Sequence, residues 1–265
     1  MAIKFENGQI VSGLGHQNIV AGHVERYSVV HKFGAAEVGT SFVPVCRGNV
    51  WQTPQVSGAT TLRVKAGGHA NDTAAGTGAR EVCLQGLDET GALVEECVAT
   101  AGASASSATT TTFIRLFRAW VSESGTYASQ SAPSHADDIV IENGAGGTDW
   151  ATLSATGFAR GQSEIGCYTV PRGYQAYVKG FVVSSDASKS TDFIFYQRRN
   201  ILQTSAPYSS MRLIFEAAGL SGEEIVQPKM PFGPFPALTD LGFMGKVSQN
   251  TGEVDVDFEI VLEKI

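Results

Sequence analysis

The feature that most constrains this chain is the stretch Ala70–Thr100, in which a Gly-rich turn leads into two short strands joined by a tight loop. A loop of Glu89, Thr90 and Gly91 suits a type I turn followed by a residue of positive φ. Gly91 holds that third position, where the missing Cβ removes the steric cost of a positive φ. The stretch therefore predicts a β-hairpin.

The hairpin loop also predicts which residues of the two strands face each other. With Gly91 at the turn, Leu87 lies opposite Leu93 and Cys83 lies opposite Cys97. A slip of one residue would turn every side chain to the other face of the sheet. One face is then expected to contribute Val82, Leu84 and Val98 to the core, and the other to carry both cysteines with Gln85 and Glu95.

The facing cysteines leave two interpretations open. Directly opposed cysteines can be close enough for a disulfide across the hairpin, although that geometry is often strained. Alternatively, Cys83 and Cys97 remain free thiols and pack as small hydrophobic side chains. The four cysteines, at positions 46, 83, 97 and 167, form neither a disulfide framework nor a CxxC pair. A structural zinc site is therefore not predicted.

Length and composition favour β structure in one large domain or two small ones. The chain has 265 residues, of which 43% are hydrophobic, enough to fill a core. Thirty glycines and many Ser, Thr and Ala residues favour turns and strands over helices. The start of the chain lacks the apolar run of a signal peptide, and no run of about 18 apolar residues predicts a membrane span. We therefore expect synthesis in a reducing cytoplasm and no membrane partner.

The charge of the chain argues against nucleic acid as a partner. The net charge is −7, from 19 basic and 26 acidic residues. Binding to a phosphate backbone needs clustered Lys and Arg, whereas the densest basic group here is the pair Arg198–Arg199. No nucleic-acid affinity in the micromolar range is expected at physiological salt.

The strand pattern predicts an all-β fold, with an N-terminal extended arm followed by two β-sandwich or jelly-roll-like units. The arm covers residues 1–58, and its weak periodicity and two prolines suggest that residues 1–55 lie mainly on another subunit. The first unit covers residues 59–145, a Gly-rich linker covers 146–161, and the C-terminal unit covers 162–265.

Two strands carry particular expectations. Phe113–Val121 is apolar on both faces, which fits a strand that is buried on each side or covered by a partner. In the last strand, apolar residues alternate with the acidic residues Asp255, Asp257 and Glu259. Acidic neighbours on one strand face lie about 7 Å apart, a spacing that some glycosidase carboxylates share. A solvated polar face explains these three residues without catalysis.

No motif in the chain predicts catalysis, a metal or a cofactor. None of the five histidines lies in an HxH or HExxH pattern, and no GxSxG sequence appears. The loop Asn71–Gly78 resembles a phosphate cradle but lacks the GK[ST] ending and a following helix. Asp72 offers one calcium ligand without the DxDxDG spacing of a calcium loop. We therefore predict a protein that is not an enzyme and holds no cofactor.

Three stretches together resemble a known family. They are SVVHKFGAAEVGTSF, followed by Val50 and Trp51, then ANDTAAGTGAREVCLQGLDETG, and then CYTVPRGYQAYVKGFVVSS. The chain resembles a family of structural proteins from tailed phages, largely marine ones, which carry a KFG arm, an NDTAAGTGAR–GLD hairpin and a C-terminal YTVPxG β unit. The resemblance covers most of the chain, in the same order.

The resemblance implies a virion component made in the host cytoplasm, most specifically a capsid decoration or cement protein. Its partners would be the major capsid protein and copies of itself, with a trimer suiting a pseudo-threefold site. The arm motif and the exposed aromatic candidates supply the predicted interface residues, among which Trp150 is the leading aromatic candidate. These residues are His31, Lys32, Phe33, Trp51, Trp120 and Trp150.

Two other functions stay open at this point. A receptor- or glycan-binding module of a tail or fibre would group aromatic side chains on an exposed concave face. A hydrolase would need a pocket with converging polar groups and perturbed pKa values.

Overall fold

The structure, a computed structural model, describes residues 4–6, 9–11, 25–47, 58–129, 132–156, 159–186, 188–226, 228 and 230–265. These ranges contain strands, turns and no helix, so the all-β prediction is confirmed. No helix able to span a membrane exists in them. Trp51, predicted at an interface, lies outside the described residues.

In the described ranges, ten strands precede residue 160. They are β1 (Lys4–Glu6), β2 (Gln9–Val11), β3 (Tyr27–Val38), β4 (Val43–Pro44), β5 (Leu62–Val64), β6 (Ala79–Asp88), β7 (Leu93–Ala99), β8 (Phe113–Ser124), β9 (Ile139–Asn143) and β10 (Asp149–Leu153). Eight follow: β11 (Cys167–Thr169), β12 (Tyr174–Ser185), β13 (Thr191–Arg198), β14 (Arg212–Leu220), β15 (Glu223–Val226), β16 (Phe232–Phe235), β17 (Asp240–Val247) and β18 (Gly252–Lys264).

The strands form antiparallel sheets. Two three-stranded sheets have the orders β7-β6-β8 and β10-β9-β5, and β1 pairs with β2. One five-stranded sheet has the order β15-β12-β18-β3, with β16 also paired to β12. The other has the order β11-β17-β13-β14, with β4 also paired to β17. In these orders β3 and β8 are both edge strands, and side chains of each strand contact the other.

The hairpin prediction is confirmed in its register and its turn. Gly91 has a φ of 84°. Strands β6 and β7 pair Cys83 with Cys97 and Leu87 with Leu93. The open question about the cysteines is resolved as a disulfide between Cys83 and Cys97. As predicted, Val82, Leu84 and Val98 are in the core.

The N-terminal arm is largely part of the chain's own sheets. Strand β3 pairs along its whole length with β18, and β4 pairs with β17. The prediction that residues 1–55 lie mainly on another subunit is therefore wrong for these two strands. The reason is that β18, a long regular strand, offers β3 a full row of backbone partners within the same chain.

The predicted linker 146–161 contains β10, which pairs with β9. Its glycines make a tight turn between those two strands, since Gly146 and Gly147 both have positive φ values, 86° and 107°. The sequence GAGG therefore marks a hairpin rather than a domain boundary.

Buried contacts connect the strands from both halves of the chain. Arg115 of β8 and Asp240 of β17 are both fully buried and form a two-pronged ion pair, with N–O distances of 3.0 and 2.9 Å. The ring of Phe181, in the sheet of β18, lies 5.1 Å from that of Phe243, in the sheet of β17. The core is therefore shared by segments far apart in sequence.

Candidate interaction cleft

Strand alternation places Lys32 on the inner side of β3. The β3–β18 register sets Val30 opposite Ile260 and Lys32 opposite Phe258, and both β18 residues are buried. Because side chains alternate along a strand, Lys32 points inward with Val30 and is only 3% exposed. Neighbouring His31 and Phe33 point outward.

A bulge in β8 provides the acceptor for Lys32. Strands β6 and β8 pair Gln85 with Arg118 and Gly86 with Leu116, which leaves Phe117 as an extra residue. Lys32 Nζ donates a hydrogen bond to the main-chain oxygen of Phe117. The inward lysine of one edge strand thus caps a carbonyl of the other.

Arg118 makes the reciprocal contact. Its Nη2 donates to the main-chain oxygen of His31, at 3.1 Å. Its guanidinium lies 5.9 Å from the centre of the Phe33 ring. Each edge strand therefore sends one cation to a carbonyl of the other, and we call the space between them, around Lys32, Phe33, Phe117 and Arg118, the β3–β8 cleft.

The backbone of β3 is open towards this cleft. The amide of Lys264 donates to the oxygen of Arg26, so the even-numbered residues of β3 bond to β18. In an antiparallel pair the intervening residues direct their N–H and C=O groups to the other side. These are Val29, His31 and Phe33, and no main-chain bond joins them to another described element.

The cleft has an outer extension with polar walls. The inner part, about 470 Å³, and the extension, about 450 Å³, share Gln85, Arg118 and Gln162. Half-buried Trp120 lines the extension, and Gln85 Nε2 donates to Glu95 at 3.2 Å. An aromatic side chain and several hydrogen-bonding groups are therefore available to a ligand.

Burial strongly affects Lys32. It lowers the pKa of Lys32 to about 7, with a further lowering from the positive charge of Arg118. Burial also lowers the pKa of Arg118. Below the lysine in the core, Cys46 and Cys167 are free thiols whose sulfur atoms are 3.9 Å apart. Burial raises the pKa of the Cys167 thiol.

The structure brings four of the six predicted interface residues to one place. His31, Lys32, Phe33 and Trp120 all line the cleft or its extension. Trp150 does not, because it is 5% exposed and belongs to the core, so its prediction as the leading interface aromatic is wrong. The apolar residues on both sides of its strand gave no sign of which face was covered.

Sequence reasoning missed Arg118, Phe117 and Gln162 as residues of this site. Arg118 was visible as a cation within an otherwise apolar strand. The bulge that exposes the Phe117 carbonyl had no signal in the sequence, because it arises from the pairing of β8 with β6.

The other chemical candidates have structural roles. The carboxylate of Asp72 accepts main-chain N–H bonds from Ala79 and Ala136, which explains its position in the loop without calcium. A cluster of Glu81, Cys83 and Cys97 has ligand atoms within 4.8 Å of one another, but the two cysteines are joined in the disulfide. His31 contacts Asp257 at 2.5 Å on the outer face of the β3–β18 sheet.

Neither a protein-family model nor a curated protein sequence matches this chain.

Proposed function

We propose that this chain is a structural protein of a tailed-phage virion, most specifically a decoration or cement protein that binds the capsid shell through the β3–β8 cleft. The role is one of assembly and not of catalysis. The proposed protein forms a homo-oligomer, specifically a trimer. Its two five-stranded sheets are proposed to pack as a β-sandwich, which the contact between the rings of Phe181 and Phe243 supports.

The observation that carries this proposal is that the three stretches of the phage-protein resemblance meet around the cleft. The KFG stretch supplies Lys32 and Phe33. The YTVPxG stretch supplies Tyr168, whose ring centre lies 4.5 Å from that of Phe117. The hairpin stretch supplies Gln85, which lines both parts of the cleft.

Direct contacts hold these stretches together. The main-chain N–H of Arg172, in the YTVPxG stretch, donates to the oxygen of Gly91 at 2.8 Å. Its Nε donates to the oxygen of Thr90 at 2.6 Å. Gly34 of the KFG stretch approaches Gly166, the residue directly before the YTVPxG stretch, so closely that a Cβ on Gly34 would lie 2.2 Å from the Gly166 nitrogen. The three stretches that carry the resemblance therefore contact one another and belong to one structural unit.

The proposal is tested on purified virions of the phage whose genome encodes this chain. Mass spectrometry of purified particles should detect the chain, and gold-labelled antibodies raised against it should decorate the shell. Absence of the chain from the particles overturns the proposal. Labelling confined to the tail overturns the decoration role and favours the second candidate.

That second candidate is a receptor- or glycan-binding module of a tail or fibre. The observation that favours it is the half-buried Trp120 beside Gln85, Glu95 and Gln162, a combination suited to stacking and hydrogen bonding with a sugar. A glycan array separates the two functions: specific binding that Trp120→Ala removes supports this candidate, and no binding by the intact chain counts against it.

A further inference from the structure

The β3–β8 cleft contains two cations without an acidic partner. Among the described residues, no carboxylate lies within 4.0 Å of the charged nitrogens of Lys32 or Arg118. Their hydrogen-bond partners are the carbonyls of Phe117 and His31. By contrast, buried Arg115 is matched by Asp240. Lys32 is buried and Arg118 is half-buried, so both would gain from an anion placed between them.

The flanking strand suggests what carries the anion. Val29, His31 and Phe33 direct their main-chain groups into the cleft without pairing to another described strand, and of these groups the His31 carbonyl accepts from Arg118. An edge strand presents its backbone in this way when it receives an additional strand. A carbohydrate or a free ion would leave this regular row of donors and acceptors unused. An extended polypeptide would use it, and every second side chain of that polypeptide would point towards the cations.

We propose that the β3–β8 cleft receives an extended segment of a partner protein, which pairs with the outer edge of β3 and places an Asp or Glu carboxylate between Lys32 and Arg118. On binding, Arg118 exchanges its bond to the His31 carbonyl for the carboxylate. The His31 carbonyl then accepts an N–H of the added strand. The inference rests on one part of the proposed function, namely that a partner protein binds in this cleft.

A different role for Lys32 makes an opposite prediction. An inward-pointing charge on an edge strand is also a device against unwanted strand pairing. If Lys32 and Arg118 serve only to cap carbonyls and block the edge, no extended peptide binds, and removing a cation promotes pairing instead of weakening it.

The experiment uses the full chain and a positional-scanning library of nine-residue extended peptides, with binding measured by fluorescence polarisation. We expect one position to select Asp and Glu. In the best peptide, changing that residue to the matching amide should weaken binding at least tenfold, and affinity should fall as salt is raised. Absence of peptide binding, or binding without a preference for an acidic residue, overturns the proposal.

Variants of the chain locate the site. Arg118→Gln should weaken the acidic peptide about tenfold and leave the amide peptide unchanged, whereas Arg199→Gln serves as the control because Arg199 is exposed and lines neither part of the cleft. Equal loss for both peptides, or no loss, contradicts the assigned role. Lys32→Met is the second variant, used after its folding has been checked.

Competition with free anions separates the sources of the carboxylate. Sodium acetate, at matched ionic strength, should compete only weakly with the peptide, because it forms no strand pairing. Full competition by millimolar acetate would mean a site for small free anions and overturns the peptide proposal. Since peptide binding and particle labelling are separate measurements, either the cleft inference or the virion assignment can fail alone.

Discussion

Lys32→Met should change how the stability of this protein depends on pH. In the folded chain, burial lowers the pKa of Lys32 from 10.5 to about 7. Between these values the unfolded chain binds the proton that the folded chain has lost, so the free energy of unfolding rises with pH. Each pH unit contributes about 1.4 kcal/mol at most. From pH 7 to 8.5 the lysine of the native protein should therefore add about 1 to 2 kcal/mol, because Lys32 is still half protonated at pH 7.

The window is chosen to keep other groups out of the measurement. The pKa of buried His135 is lowered from 6.5, so the rise in stability with pH that this histidine causes is nearly complete by pH 7. Burial raises the pKa of Cys167, so stability falls as the unfolded thiol ionises, and with an ordinary pKa of 9.0 this loss stays small up to pH 8.5. Among the described residues, Lys32 is therefore the main buried group whose proton binding differs between the folded and unfolded states within this window.

Urea unfolding at pH 7.0, 7.75 and 8.5, without reductant, measures the effect. The native protein should gain stability across the series, and Lys32→Met should show a flat profile and higher stability at pH 7. The control is Lys179→Met, which removes an exposed lysine that pairs with Glu259. Parallel profiles for the native protein and Lys32→Met would refute the argument that Lys32 is desolvated.

The remaining predictions concern the turn, the core pair, the thiols and nucleic acid. Gly91→Val should cost at least about 1 kcal/mol in thermal unfolding, because φ is 84° and a Cβ would lie 2.3 Å from Leu238, whereas Gly39→Val meets nothing within 4 Å and should cost less. Asp240→Asn should cost about 3–5 kcal/mol in urea unfolding by leaving Arg115 buried without its charge partner, and a cost below about 1 kcal/mol would contradict the buried pair. A thiol reagent should find no reactive thiol in the native chain and two after unfolding without reductant, and four would contradict the disulfide. A gel shift at physiological salt should show no micromolar DNA binding, since acidic residues outnumber basic ones by 26 to 19.

The hairpin was predictable because its information is local. Gly91 specifies the turn, and the turn specifies the pairing of Cys83 with Cys97. Sequence alone left the disulfide open, since the register brings two sulfurs together in either redox state. The GAGG turn was misinterpreted because a glycine-rich segment has the same composition in a linker and in a hairpin.

The cleft was predictable only in part. The KFG stretch pointed to His31, Lys32 and Phe33, but not to the direction of each side chain. A lysine at an inner position contradicts the usual hydrophobic alternation, and only the pairing of β3 with β18 shows that it is buried. The partners of that lysine depend on contacts between residues 85 positions apart, for which the sequence has no local signal.

The pairing of β3 with β18 has a consequence for how the chain folds during synthesis. The two strands join residues 27–38 to residues 252–263, so more than 200 intervening residues separate the partners. The ribosome must therefore release β18 before the sheet can close, and until then β3 is a nascent strand with no partner on that sheet. Such distant pairing slows folding and leaves strand edges open to aggregation. A chaperone that holds nascent β3 until translation ends would raise the yield of native protein, and pausing translation before β18 would leave the N-terminal strand protease-sensitive.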